Sequence, residues 1–115
     1  MNEVQKLSGH IIAWVKQTFP DQPLIGVAKH LEKETKELSD EISNQNHQNA
    51  IKELVDCFML LLEISQFLCV PIARLVELTY LKLEENKTRK WGEPSSDGAI
   101  EHIKTPGKEI SNEQL

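Results

Sequence analysis

Two pairs of carboxylates occupy positions where a helical pattern calls for apolar residues. Val27, Leu31, Leu38 and Ile42 recur at the spacing of a single helical stripe, and the stripe position between them, residue 34, is a glutamate. Glu37 and Glu41 follow Glu34 by three and seven residues, stacking like charges along one face at about 0.2–0.5 kcal/mol per adjacent pair. Glu53 and Asp56 are again three apart, set among Leu54, Val55, Cys57 and Phe58. A carboxylate buried without compensation is strongly destabilising. Either a divalent cation lies between the two helices, or the acids form solvated faces paired with Lys33, Lys36, Lys52 or Arg74. A ligand set made only of hard oxygens selects Mg²⁺, or Mn²⁺, over zinc. A di-iron Glu-x-x-His arrangement is excluded, because none of His10, His30, His47 and His102 has a glutamate three residues before it.

A second constellation lies downstream. Lys82, Asn86 and Arg89 recur at i, i+4 and i+7, so an ammonium, an amide and a guanidinium share a helical face suited to phosphate oxygens. Lys87 and Lys90 lie nearby and Glu84 and Glu85 dilute the charge, while the helix dipole favours cations at such an end in any case. Trp14, Phe19, Tyr80 and Trp91 are candidates for stacking on a base; Trp14 falls on the apolar stripe of the first helix, where a core role is expected. His30, one turn before Glu34, is placed to bond a ligand or a metal-bound water. Cys57 and Cys69 sit in apolar sequence with no adjacent base and read as buried thiols. No phosphate-cradling glycine loop, nucleophile elbow or dinucleotide fingerprint is present.

These residues must be positioned by helices. Periodicity predicts a first helix from Asn2 to about Thr18, with Val4, Leu7, Ile11, Trp14 and Val15 inward. Pro20 and Pro23 interrupt it, a second helix ends near Asn44, and a third spans about Asn49 to Phe67. Pro71 suits the first turn of a fourth helix reaching about Lys90, with Ile72, Leu75, Val76, Leu78 and Leu81 on its apolar side. No alternation of period two is sustained, so the expected fold class is all-α, resembling a four-helix bundle. The expected organisation is a helical domain over residues 1–91 and an extended or partly disordered tail over 92–115, where glycine, proline and serine accumulate.

At 115 residues the chain has room for one domain, and 22 of its apolar residues fall between Ala50 and Leu81. A net charge of -5 excludes a basic surface for polymeric nucleic acid. The longest apolar run, Cys57 to Leu62, is too short to span a membrane, and two cysteines make no disulfide framework. The expectation is a soluble, cytoplasmic protein.

The segment Leu31 to Leu38 (L-x-K-E-x-x-E-L), the later E-x-x-D from Glu53 to Asp56, and the closing K-x-x-x-N-x-x-R-x-W from Lys82 to Trp91 resemble the MazG-like, all-α nucleoside triphosphate pyrophosphohydrolases. The stretch from Asp97 to Ile103 (D-G-A-I-E-H-I) is similar to the short dATP/dGTP pyrophosphohydrolase branch found in phages and mobile elements. The resemblance covers about Gly26 to Lys104, with Lys33 standing where the family pattern often carries a further glutamate. It implies hydrolysis of a deoxynucleoside triphosphate to the monophosphate and pyrophosphate, in a house-cleaning role. Glu34, Glu37, Glu53 and Asp56 would ligate Mg²⁺, with Mn²⁺ as a substitute, and Glu37 or Glu53 would activate water. Lys82, Asn86 and Arg89 would bind phosphate, His30, Trp14, Tyr80 and Trp91 would serve the base or back the ligands, and the chain would form a homodimer or homotetramer. Two further readings of the residues stand beside it, a noncatalytic helical interaction module and a nucleotide-binding regulator without chemistry.

Overall fold

The computed structural model describes residues 2–103 and 115. Four helices carry the chain: α1 (Glu3–Thr18), α2 (Leu24–Ser43), α3 (His47–Phe67) and α4 (Ile72–Thr88). Two short strands, β1 (Lys90–Trp91) and β2 (His102–Ile103), follow. The fold class is all-α, as the periodicity predicts. The chain divides into two compact units, Met1–Ala73 and Arg74–Leu115.

The helix limits have local causes. Asn2 closes a capping box on α1: its side chain accepts from the Gln5 amide at 2.9 Å, and the Gln5 side chain accepts from the Asn2 amide at 2.9 Å. Pro23, in extended backbone, sits at the N-cap of α2. The link from α2 to α3 is only Asn44, Gln45 and Asn46; Gln45 adopts the left-handed conformation (φ 59°), and Asn46 caps α3 by accepting from the Asn49 amide at 3.2 Å. Cys69 makes the corresponding left-handed turn after α3 (φ 58°), with Val70 N–H bonding Ser65 O at 2.9 Å. That turn exposes the Cys69 thiol, so of the two cysteines expected to be buried only Cys57 is.

In the first unit α3 packs on both α1 and α2. Ile11, Val15, Val27, Cys57, Leu60 and Leu62 form the core, with Val27 wholly enclosed. α1 is rotated from the expected stripe. It turns Ser8, Ile11 and Val15 inward, whereas Val4 and Leu7 are exposed and Trp14 is 51% exposed instead of buried in the core. On α2 the inward stripe runs from Val27 through Leu31, Glu34 and Leu38 to Glu41, while Ile42 faces solvent. Steps of three and four both fit 3.6 residues per turn, so after four turns the pattern alone does not choose between 41 and 42.

The second unit joins the end of α4 to a hairpin that periodicity did not reveal. β1 and β2 pair antiparallel, Lys90 opposite Ile103 and Trp91 opposite His102. Their connection is a tight turn in which Asp97 accepts from the Ser95 hydroxyl and from the Ala99 amide at 3.0 Å, holding its carboxyl below the usual range. Gly98 has φ 87°, a conformation that favours glycine. Residues 92–103 of the expected tail thus contain the turn and the strand β2, and residues 104–114 lie outside the described residues. Among the described residues no single helix is long and apolar enough to cross a membrane.

Asn46→Ala removes the α3 cap and is expected to lower unfolding stability by about 1 kcal/mol. Urea titration followed by circular dichroism measures it, with an unchanged denaturant dependence indicating that only stability has moved.

Candidate active site

The three-residue link makes α2 and α3 an antiparallel pair, and residues on the two helices approach in the order this requires. Glu41 and Ala50 border one small cavity, Glu37 and Glu34 meet Glu53, and His30 lies toward Glu63. The spacing of three in each motif then turns both acids of a pair toward the partner helix.

Glu34, Glu37 and Glu53 each place a carboxylate oxygen within 4.8 Å of the others. Glu34 and Glu53 are half-buried and Glu37 is exposed. One oxygen of Glu34 and one of Glu53, both Oε2, are buried with no hydrogen-bond partner. Glu34 uses its other oxygen on His30 Nε2 at 3.1 Å. The Glu34 carboxyl against Glu53, burial, and the charge of Asp56 push the Glu53 carboxyl above its usual range, with a lesser opposing pull from Glu37. Asp56, exposed, stands outside the close trio but lines a cavity with Glu34. Cys57 is the floor of the cluster: burial pushes its thiol up, and the charges of Glu34, Glu53, Asp56 and Glu37 add to the effect. The structure brings three of the four expected ligands together, Glu34, Glu37 and Glu53, with Asp56 one turn on along α3.

Three clustered carboxylates with two orphaned buried oxygens fit a cation of hard character. Repulsion among them is relieved only by protonation or by positive charge, and an all-oxygen set suits Mg²⁺ or Mn²⁺. Of the lysines considered as alternative partners, Lys36 bonds Asp40 at 3.0 Å.

From the carboxylates a cavity of about 390 Å³ runs past His30 toward Trp14 and Phe19, whose rings meet edge to face at 5.4 Å between centroids. His30 and Trp14 thus line the same cavity as Glu34 and Asp56. Tyr80 and Trp91 lie in the second unit and are exposed; Trp91 donates its indole N–H to Asn86 O at 3.1 Å and meets the His102 ring edge-on.

The α4 row is present on one face, but its members are already engaged. Lys82 pairs with Glu85 at 3.4 Å. Arg89, with a side chain only 5% exposed, bonds Glu85, donates to Asn86 Oδ1 at 3.2 Å and contacts His102 Nδ1 at 3.5 Å. The reading of Glu85 as mere dilution of charge missed its role: it is the anchor of Arg89.

Sequence reasoning also passed over Glu63. It lines the same cavity from α3 and is 92% buried. Its signal was available, since Glu53, Asp56, Leu60 and Glu63 fall at steps of three and four along one helical face, and Glu63 interrupts an apolar run.

No curated protein matches the chain. The structure of a cyanophage S-2L MazG-like pyrophosphohydrolase bound to dGDP and three catalytic Mn²⁺ ions per active site is similar to it, at 25% identity and a TM-score of 0.67, over 90% of this chain and 96% of that one. The dATP/dGTP pyrophosphohydrolase family matches residues 7–109. A paired-carboxylate helical hairpin in an all-α fold, with the family's pattern over most of its length, makes this chain a member of the dATP/dGTP pyrophosphohydrolase family, enzymes that hydrolyse nucleotide phosphoanhydride bonds.

Proposed function

We propose that the chain is a Mg²⁺-dependent pyrophosphohydrolase that converts deoxynucleoside triphosphates to monophosphates and pyrophosphate, clearing unwanted or excess deoxynucleotides in the cytoplasm. The observation that carries this reading is the trio Glu34, Glu37 and Glu53 with two buried, unpartnered oxygens, in a chain of this family. Mn²⁺, the ion named for the cyanophage protein, serves as the alternative cation.

Glu34, Glu37, Glu53 and Asp56 would hold the cation. Once bound it supplies charge neutralisation of the triphosphate and lowers the pKa of the attacking water. Glu37 or Glu53 would accept a proton from the attacking water as its oxygen bonds the α-phosphorus and the α-phosphorus–oxygen bond to the β-phosphate breaks, so that pyrophosphate leaves. Lys82, Asn86 and Arg89 are assigned phosphate oxygens, the guanidinium and amide having the planar donor geometry for them. Glu85 keeps Arg89 oriented in the meantime.

The chain also acts as a homodimer or homotetramer in this proposal. Ile51, Leu54, Val55, Phe58 and Leu61 are exposed at helical spacing along α3, an apolar stripe that a second copy would cover. That occupant accounts for the stripe without a noncatalytic docking role.

Purified protein incubated with each of dATP, dGTP, dCTP and dTTP is expected to release pyrophosphate only when Mg²⁺ or Mn²⁺ is present; no release from any of them removes the proposal. Glu37→Gln and Asp56→Asn are each expected to lose about 10²–10⁴-fold in turnover while keeping the helical circular-dichroism signal. Divalent cation binds only the folded chain, so a hundredfold excess over Kd should raise wild-type stability by about 2.7 kcal/mol, read as an increase in Tm. The two variants should show a smaller increase.

A further inference from the structure

Glu63 is a buried charged group in the first unit that the proposed chemistry does not use. It is 8% exposed and makes no hydrogen bond among the described residues. It lines two cavities, of about 390 Å³ and about 300 Å³, that also share Val15, Phe19 and Gln22. Burial pushes its carboxyl up, and His30 pulls it part of the way back. Its oxygens are not among the enclosed unpartnered atoms of the first unit, so they open onto the cavities, where the donors of a ligand reach them.

The position says which part of a ligand. Glu63 stands two turns beyond Asp56 on the same face of α3, about 10 Å at 1.5 Å per residue. The larger cavity is lined by Glu34 and Asp56 and also by Trp14, Phe19, Gln22 and Glu63, of which Phe19, Gln22 and Glu63 border the smaller cavity too. A nucleotide whose phosphates lie at the acids therefore reaches Glu63 with its base, against aromatic walls.

We propose that Glu63 reads the pairing edge of a purine, its two oxygens accepting from N1–H and N2–H of guanine, with the Gln22 amide beside it. The inference rests on the nucleotide reading above and adds the residue that selects the base. Guanine has two adjacent donors on this edge, the arrangement that two carboxylate oxygens match. Thymine has one donor between two acceptors, and cytosine has an acceptor beside its amino group, so neither satisfies both oxygens. Adenine, with N1 an acceptor and N6 a donor, is matched by a side chain that donates once and accepts once.

Glu63→Gln tests this, because an amide keeps the size of the side chain and replaces a double acceptor by a donor–acceptor pair. kcat/KM is compared for dGTP, dATP and dITP, the last lacking the guanine 2-amino group. Wild type should favour dGTP over dITP by about tenfold, the usual cost of leaving a buried acceptor unpaired. In the variant that preference should vanish, and the dGTP:dATP ratio should fall by about tenfold or more, with dATP turnover retained. A change that lowers all three substrates equally, or a ratio within twofold of wild type, overturns the assignment and leaves the hydrolase reading intact. Calorimetric binding of dGMP, dIMP and dAMP to both proteins is measured in parallel. If wild type hydrolyses no triphosphate the hydrolase reading fails by itself, and the dGMP:dIMP affinity ratio still decides for or against Glu63.

Discussion

Mutual repulsion among carboxylates is the constraint around which the first unit is organised. Glu34, Glu37 and Glu53 are brought within 4.8 Å of one another by an antiparallel helical hairpin whose apolar contacts outweigh the cost. Nothing in a folded chain gathers like charges spontaneously, and the buried oxygens of Glu34 and Glu53 show that the protein itself does not compensate them. The cluster is one that a positive guest could occupy, and binding of such a guest to the folded chain would add to its stability. Cys57 at its floor fits the same account. A small, weakly polar group packs against α2 without competing for the cation, and the surrounding negative charge keeps its proton on.

The second unit solves a different problem, that of holding a long cationic side chain still. Arg89 is drawn in by Glu85, braced by Asn86 and met by His102 from the strand that pairs with Lys90 and Trp91. The hairpin is short, so its register depends on the turn around Asp97 and Gly98 rather than on side-chain packing. A guanidinium held in this way loses little further freedom on meeting an anion.

Much of the fold was legible because helices announce themselves. The prolines at 20, 23 and 71, the asparagine-rich link and the 3.6-residue spacing place α1, α3 and α4 within two residues of their observed ends, and the end of α2 within one. The carboxylates were legible for the opposite reason, as charges breaking an apolar pattern. What escaped depends on tertiary context. Which face of α1 turns inward is decided by α3, so Ser8 went in and Trp14 came out toward the cavity. The left-handed turn at Cys69 is a backbone choice that its apolar neighbours conceal. The pairing of 90–91 with 102–103 is too short for any periodicity. Glu63 was concealed by its neighbourhood, since an acid near the end of an apolar helix is easily read as the place where the apolar run stops.

The link of Asn44, Gln45 and Asn46 has a consequence for how such a chain can diverge. Each residue advances a helix by about 100°. One residue more or fewer there would swing Glu53 and Asp56 away from Glu34 and Glu37 while leaving each helix intact. The loop across Ser95 to Ala99 can change length at the expense of a small hairpin, but the three residues between α2 and α3 meter the separation of half-sites. Descendants of this gene are therefore free to exchange the residues of that link and are bound to keep their number.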